Sequence, residues 1–362
     1  MNHAPVIARA LLVAAGIFLV ALSLNDVFQS VIVPRAVGRV FRPSYYLART
    51  IWALWPKLAW KLYPTDADRR EDFLAVFAPF ELIALLMLWS LLLLIGYAAM
   101  FIALAPDVHP PIRSFAEAFY FAGASFFTIG FGDFVGNSTL TRLISLAAGA
   151  SGFGVISTTT AFLFAIFGAF QSREQFVVLV GTRAGTPPSA VGLLTISADV
   201  GDVDGLRAVM RDAQTWCASI LETHLAYPIL AYFRSSHDYE SWVGTLGTLL
   251  DASLLMMTTV QCKAGEAAIL YKIGRHTAED LARYFRMARP SNDPGITRDE
   301  FDRACETLAS AGYTLHEREH AWAEFSRLRS SYASSLNALA HFFSIPPLQW
   351  VGDRSTIAFR HD

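Results

Sequence analysis

Apolar positions fall into three long runs in the first half of the chain and switch to a helical spacing in the second. The first run covers residues 6–24, interrupted by Arg9 and closed by Asn25 and Asp26. The second covers 80–104, almost wholly Leu, Ile, Ala and Met, with Glu81 and Trp89 near its start. The third covers 140–170 and is rich in Gly, Ser, Thr and Phe. Each is long enough to cross about 30 Å of hydrocarbon as a helix. The third is the least hydrophobic, which predicts a face that meets protein or water rather than lipid. The first also has the length of a signal peptide. It runs on into Val27, Phe28 and Val31 with no A-x-A cleavage site, so a retained helix is expected.

From Gln171 onward, apolar residues recur at helical spacing over 205–232, 242–273, 277–289 and 298–343, and few runs alternate with period two. Residues 181–188 read as a linker and 291–295 as a turn. Residues 242–259 are apolar enough to be weighed as a fourth span. Asp251 near their centre would be expensive in lipid, which predicts a buried amphipathic helix instead. The expected fold class is an all-α membrane protein in four parts. These are an N-terminal transmembrane helix (1–34), a cytoplasmic or interfacial linker (35–79), a pore domain (80–170) and an α-helical cytosolic domain (171–362).

Composition points the same way. Hydrophobic residues make up 54% and charged ones 17%, against roughly 25% charged in soluble domains. A net charge of −2 lends no support to a nucleic acid partner. Three widely spaced cysteines, Cys217, Cys262 and Cys305, form no CxxC pair and read as buried or half-buried free thiols. Lys and Arg set the orientation. Eight lie between the first two runs (Arg35, Arg39, Arg42, Arg49, Lys57, Lys61, Arg69, Arg70), whereas Arg113 and Arg142 are the ones between the second and third. The N-terminus is therefore expected outside, and the C-terminal domain in the cytoplasm of a multi-pass cell-membrane protein. Residues 45–63 mix Tyr46, Trp52, Trp55 and Trp60 with Lys57 and Lys61. That pattern suits either a helix at the headgroup level, kinked at Pro56, or a linker packed on the other helices.

The chemistry lies in residues 110–133. Ser114 followed by Glu117 is a capping-box pattern, so a helix of about twelve residues should run to Phe126, too short to span. After it come Thr128-Ile129-Gly130-Phe131-Gly132-Asp133. Glycines at alternate positions allow backbone angles closed to other residues. They let an extended strand turn successive carbonyls to one side, where these replace the water around a cation. Unpaired backbone at membrane depth is tolerable where it lines an aqueous path. The short helix aims its C-terminal dipole at the same place.

These residues resemble the pore loop of potassium channels, and TIGFGD in particular is similar to pore loops of the two-pore-domain members. The resemblance covers residues 80–170. It implies passive potassium conduction, with K+ the permeant ion held by Thr128, Ile129, Gly130, Phe131 and Gly132, and Asp133 anchoring the outer end. One loop per chain and no second TxGxG imply a homotetramer. Phe127 and Phe131 depart from the family, which commonly has Thr or Ser and Tyr there. Phe131 has no hydroxyl, and Phe121, the residue expected to face it, has no donor, so the filter is expected to be braced by packing and to be less rigid. Gly152 resembles the hinge glycine of inner helices, while Gly149 and Gly154 are expected to serve close packing. Ser157, Thr158, Thr159 and Thr160 face either the cavity or their own helix. Phe164, Phe167 and Phe170 are read as packing residues before a gate. Partners implied are potassium ions, membrane lipids and a cytosolic ligand of unknown nature.

Two other readings are open. One is a non-conducting membrane sensor whose helical domain binds a partner. The other is a membrane zinc peptidase. His316-Glu317-Arg318-Glu319-His320 satisfies HExxH, which on one helix would set two imidazoles on one face with Glu317 as general base and Glu324 or His341 as a further ligand. The spacing of Asp199, Asp202 and Asp204 lacks the glutamate of a calcium loop and predicts a helix cap.

Overall fold

The computed structural model describes residues 6–33, 41–185, 187–237, 240–287, 293–346 and 348–350. It divides into two compact units, Met1–Ile166 and Phe167–Asp362. Among the described residues, three helices are long and apolar enough to cross a membrane: Val6–Ile32, Ala67–Ala103 and Thr139–Ala184.

In the first unit, α1 (Val6–Val27) runs past Asn25 and Asp26 and ends in one wider turn, Phe28–Ile32. α2 (Pro43–Leu62) opens on a proline, which the first turn accepts because that N–H has no partner anyway. α3 (Ala67–Ala75) is capped by Asp66, which accepts from the Arg69 amide at 3.0 Å. α4 (Phe77–Ala103) is apolar on all sides, with a core face and an exposed stripe at Ile83, Met87 and Leu91. α1 and α4 run antiparallel, since Gly16 meets Gly96 and Ser23 meets Trp89. A Cβ on Gly16 would stand 2.5 Å from the Gly96 carbonyl oxygen, so small residues set this approach.

Asp26 is wholly buried near the end of the first span. It accepts from the Trp89 indole (2.9 Å), the Ser44 amide (2.9 Å) and the Ser44 hydroxyl (2.7 Å), and faces Arg42 at 3.7 Å. A carboxylate at such depth is tolerated because it is paired. The knot fixes the start of α2 against α1 and α4.

The remaining elements of this unit are β1 (Val108–His109), α5 (Phe115–Phe126), β2 (Val135–Gly136) and the first part of α6 (Thr139–Ala184). β1 and β2 pair antiparallel and close the loop that holds α5. Trp89, Leu93, Tyr97, Phe101, Phe121 and Phe126 form the core. At 46 residues, α6 is roughly 69 Å long, about twice the hydrocarbon thickness, so much of it must leave the bilayer.

The second unit starts within α6. α7 (Ala190–Asp199), α8 (Val203–Ala226), α9 (Trp242–Leu254), α10 (Gly265–Tyr284), α11 (Arg298–Ser310) and α12 (Arg318–Phe342) follow. Each start except that of α10 carries a side-chain cap. Ser189, Asp202, Ser241 and Thr297 accept from the amide three residues on, Thr297 and Glu300 forming a reciprocal box. The expectation that Asp202 caps a helix holds.

Several sequence expectations need correction here. α6 continues through Gly181 to Ala184, and the expected linker shrinks to a turn at Gly185 (φ 84°). α7, not expected, follows at once. Residues 242–273 are two helices interrupted after Thr259, where Val260 bridges Leu315. Residues 298–343 are broken at Gly312 (φ 91°), which ends α11. Of the expected turn, Ser291 and Asn292 lie outside the described residues. Cys217 and Cys305 are buried and free, but Cys262 is exposed.

α9 is not amphipathic. All thirteen residues are buried, among α7, α8, α10 and α12. Its one charge, Asp251, is paired twice with Arg329 (2.8 and 3.1 Å) and accepts from the Tyr332 hydroxyl at 2.5 Å. Arg329 also donates to the carbonyls of Pro294 and Trp350. A second buried cation, Arg173 of α6, donates to Glu174 (2.8 Å) and to the carbonyls of Leu230 (2.9 Å) and Phe233 (2.8 Å). His224 donates from Nδ1 to the Ile220 carbonyl at 2.8 Å and turns Nε2 to Arg173 at 3.5 Å. Burial first, then the Arg173 cation, holds this imidazole well below its ordinary pKa.

Candidate functional site

The site is the strand that leaves the C-terminal end of α5. Ser114 caps α5 by accepting from the Glu117 amide at 3.2 Å, and Glu117 reaches back to the Arg113 amide at 2.6 Å. The helix therefore starts and stops where its sequence places it. Its last carbonyls take the first N–H groups of the strand. Phe127 donates to Gly123 (2.9 Å), Thr128 to Ser125 (3.0 Å), and Ile129 and Gly130 to Ala124 (2.9 and 3.3 Å).

Those bonds turn the strand's early N–H groups towards α5. Backbone φ is positive at Thr128 (56°), Gly130 (64°) and Gly132 (82°), every second residue. A β-strand alternates its carbonyls, whereas a reversal of φ at every second residue lets them share a side. Among the described residues, no hydrogen bond ends on the carbonyl oxygens of Thr128, Ile129, Gly130, Phe131 or Gly132. All five residues are exposed in the single chain, and at membrane depth such unpaired carbonyls are tolerated where they line an aqueous path. Thr128 bears the cost of a left-handed conformation at a residue with a Cβ, about 1–2 kcal/mol. Gly130 and Gly132 have nothing within 4 Å of an added Cβ, so φ alone, not space, calls for glycine there.

The segment beyond the strand is held from both sides. Asn137 donates to the Asp107 carbonyl at 2.8 Å, Thr141 to the same oxygen at 3.2 Å, and Arg142 to the Gly136 carbonyl at 2.9 Å. Asp133 accepts from the Phe134 amide at 3.1 Å and lies against the Tyr120 hydroxyl.

The ring facing Phe131 belongs to Tyr120, parallel within 4° at 6.4 Å, and not to Phe121. Phe121 is buried against Phe101 (4.4 Å) and Phe134 (6.2 Å). One residue is about 100° of helix, enough to exchange the strand side of α5 for its core side. Tyr120 therefore packs on the strand and sets its hydroxyl near Asp133. The signal was present in the sequence: Tyr120 is the one hydroxyl-bearing aromatic between residues 115 and 134.

Gly152 sits where α6 crosses the end of α5. A Cβ there would overlap the Phe126 carbonyl, so this glycine serves close approach, and α6 passes through it unbroken. Gly149 packs on the Ser125 carbonyl, 3.3 Å from an added Cβ, whereas Gly154 has open space around it. Thr160 bonds back to the Ile156 carbonyl at 2.9 Å, as isolated helix threonines do. Phe164 is exposed, while Phe167 and Phe170 pack on Phe233 at 6.0 and 5.5 Å.

The HExxH pattern is broken in space. His316 precedes α12 and donates its amide to the Thr259 carbonyl at 2.8 Å. Glu317 is the N-cap, its two oxygens taken by the amides of Glu319 (2.9 Å) and His320 (2.8 Å), which hold it below the usual carboxylate range. The two histidines therefore share no helical face, and the carboxylate is already used.

Residues 85–169, from within α4 to within α6, match the model of a family described as an ion channel. An uncharacterised membrane protein of Bacillus subtilis strain 168, YdjJ, is 23% identical over 200 residues, which are 53% of this chain and 57% of that protein. The chain thus covers little more than half the length of that relative. No solved structure matches it. The fold is that of an all-α membrane channel, with an outer helix, a re-entrant helix and strand, an inner helix, and an additional span at the N-terminus.

Proposed function

We propose that the chain is the subunit of a potassium-selective channel, conducting K+ passively through a tetrameric pore under control of its C-terminal unit. The observation that carries this reading is the row of five unpaired carbonyls from Thr128 to Gly132, following a helix whose C-terminal dipole favours a cation. A bare K+ ion needs its whole hydration shell replaced, and one strand offers one side of it. Four copies around an axis complete the cage. Exposure of Ile129 and Phe131 in the single chain is consistent with neighbours covering them. So is the groove of about 780 Å³ lined by Ser125, Thr128, Gly130, Val135, Arg142 and Leu146.

Orientation follows the basic residues, with the N-terminus outside and the C-terminal unit in the cytoplasm. The test is ion flux from liposomes holding the full chain. Potassium should pass well ahead of sodium, and Gly130→Ala should stop it, because alanine resists φ of 64°. Equal permeation of both ions would refute selectivity. No flux in any condition would favour a non-conducting sensor.

A further inference from the structure

We propose that the exposed face of α2 binds the anionic phospholipid headgroups of the cytoplasmic leaflet. This rests on the orientation given above, which puts the connection between the first two spans on that side.

α2 carries Arg49, Lys57 and Lys61 and no acidic residue; the acids of this connection, Asp66, Asp68, Glu71 and Asp72, fall in α3 or its cap. None of the three cations has an ion-pair or hydrogen-bond partner among the described residues. One face of the helix is committed to the protein. Ser44, Trp52 and Ala59 are buried, with Trp52 on Phe77 at 4.7 Å and Trp55 stacked on Phe73 at 4.9 Å and Phe80 at 5.1 Å. The exposed face is mixed: Leu54 (61%), Leu58 (42%) and Leu62 (52%) beside Lys57 and Lys61.

Leucines and unpaired cations on one uncovered surface fit the boundary between acyl chains and headgroups, where each finds its solvent. The depth of α2 is fixed independently. The Asp26 knot ties its start to the end of the first span, and Trp52 and Trp55 tie its middle to Phe77 and Phe80 at the start of the second. The helix is therefore held where two spans meet the headgroup layer. Positive charge unmixed with acids along α2 selects anionic over zwitterionic lipid.

The experiment uses the full chain in vesicles of phosphatidylcholine, with and without phosphatidylglycerol. A spin label is placed by Leu58→Cys in a Cys262→Ser background, since Cys217 and Cys305 are buried. The label should lie at the headgroup–acyl boundary in vesicles containing phosphatidylglycerol. Phosphatidylglycerol retained by the protein on extraction should fall with Arg49→Gln, Lys57→Gln and Lys61→Gln, by about fivefold per charge removed. Labels that stay in water in both vesicles would overturn the proposal, as would equal retention by the triple variant. Spin-exchange broadening from labels in direct contact would also overturn it, by showing that another copy of the chain covers this face. Neither readout needs current, so failure here and failure of the channel reading are separate results.

Discussion

The Asp251–Arg329–Tyr332 cluster of the C-terminal unit and the strand at 128–132 treat their polar groups in opposite ways. In the C-terminal unit every buried charge among Arg173, Asp251 and Arg329 is fully engaged. Asp251 alone has two bonds from Arg329 and one from Tyr332. In the N-terminal unit five strand carbonyls have no donor, and Glu81 is wholly buried with both carboxylate oxygens unpartnered. The contrast fits the proposed function. A body that must hold its shape satisfies its polar groups internally. A strand that must hold an ion leaves them for the ion.

The largest effect should come from breaking the satisfied side. Arg329→Met leaves Asp251 buried and half paired, and should destabilise the C-terminal unit by about 3–5 kcal/mol, read from denaturant melts of the full chain. Next is the contact between α5 and α6. Gly152→Ala drives a methyl into the Phe126 carbonyl and should cost about 1–3 kcal/mol as the helices part. If Gly152 were a hinge alone, alanine would change gating and leave the melt unmoved.

A third test uses pH. His224 is held neutral in the fold, whereas the unfolded chain takes up a proton near the ordinary value of 6.5. The unfolded state then binds more protons, so stability is complete above pH 6.5 and falls below it, by up to about 1.4 kcal/mol per pH unit. His224→Gln should flatten that part of the slope. The smallest effect belongs to Glu81. With no partner to lose, Glu81→Gln should leave stability unchanged or slightly raise it. A marked loss would mean that the carboxylate is bonded in the assembled protein and would weaken the contrast.

What the sequence made legible was local. Ser114 and Glu117 announce the start of α5, alternate glycines announce the φ pattern, and three apolar runs announce the spans. What it hid depended on phase and on distant partners. Which of Tyr120 and Phe121 faces the filter turns on one helical step. Asp26 marked the end of an apolar run, yet its partners Ser44 and Trp89 are 18 and 63 residues away. An ionisable residue within a span was the available signal. The residues at 181–188 misled because Gly and Pro read as a linker, while tertiary packing carries α6 through Gly181. α9 misled because Asp251 suggested a polar face, and the Arg329 that neutralises it lies 78 residues on.

The most direct test of the central claim is anomalous scattering from crystals of the assembled protein grown with thallium, a heavy stand-in for potassium. The account predicts thallium peaks in a row on a fourfold axis, each ringed by carbonyl oxygens from Thr128 to Gly132. Absence of such peaks, or thallium held by side-chain carboxylates away from any symmetry axis, would contradict it.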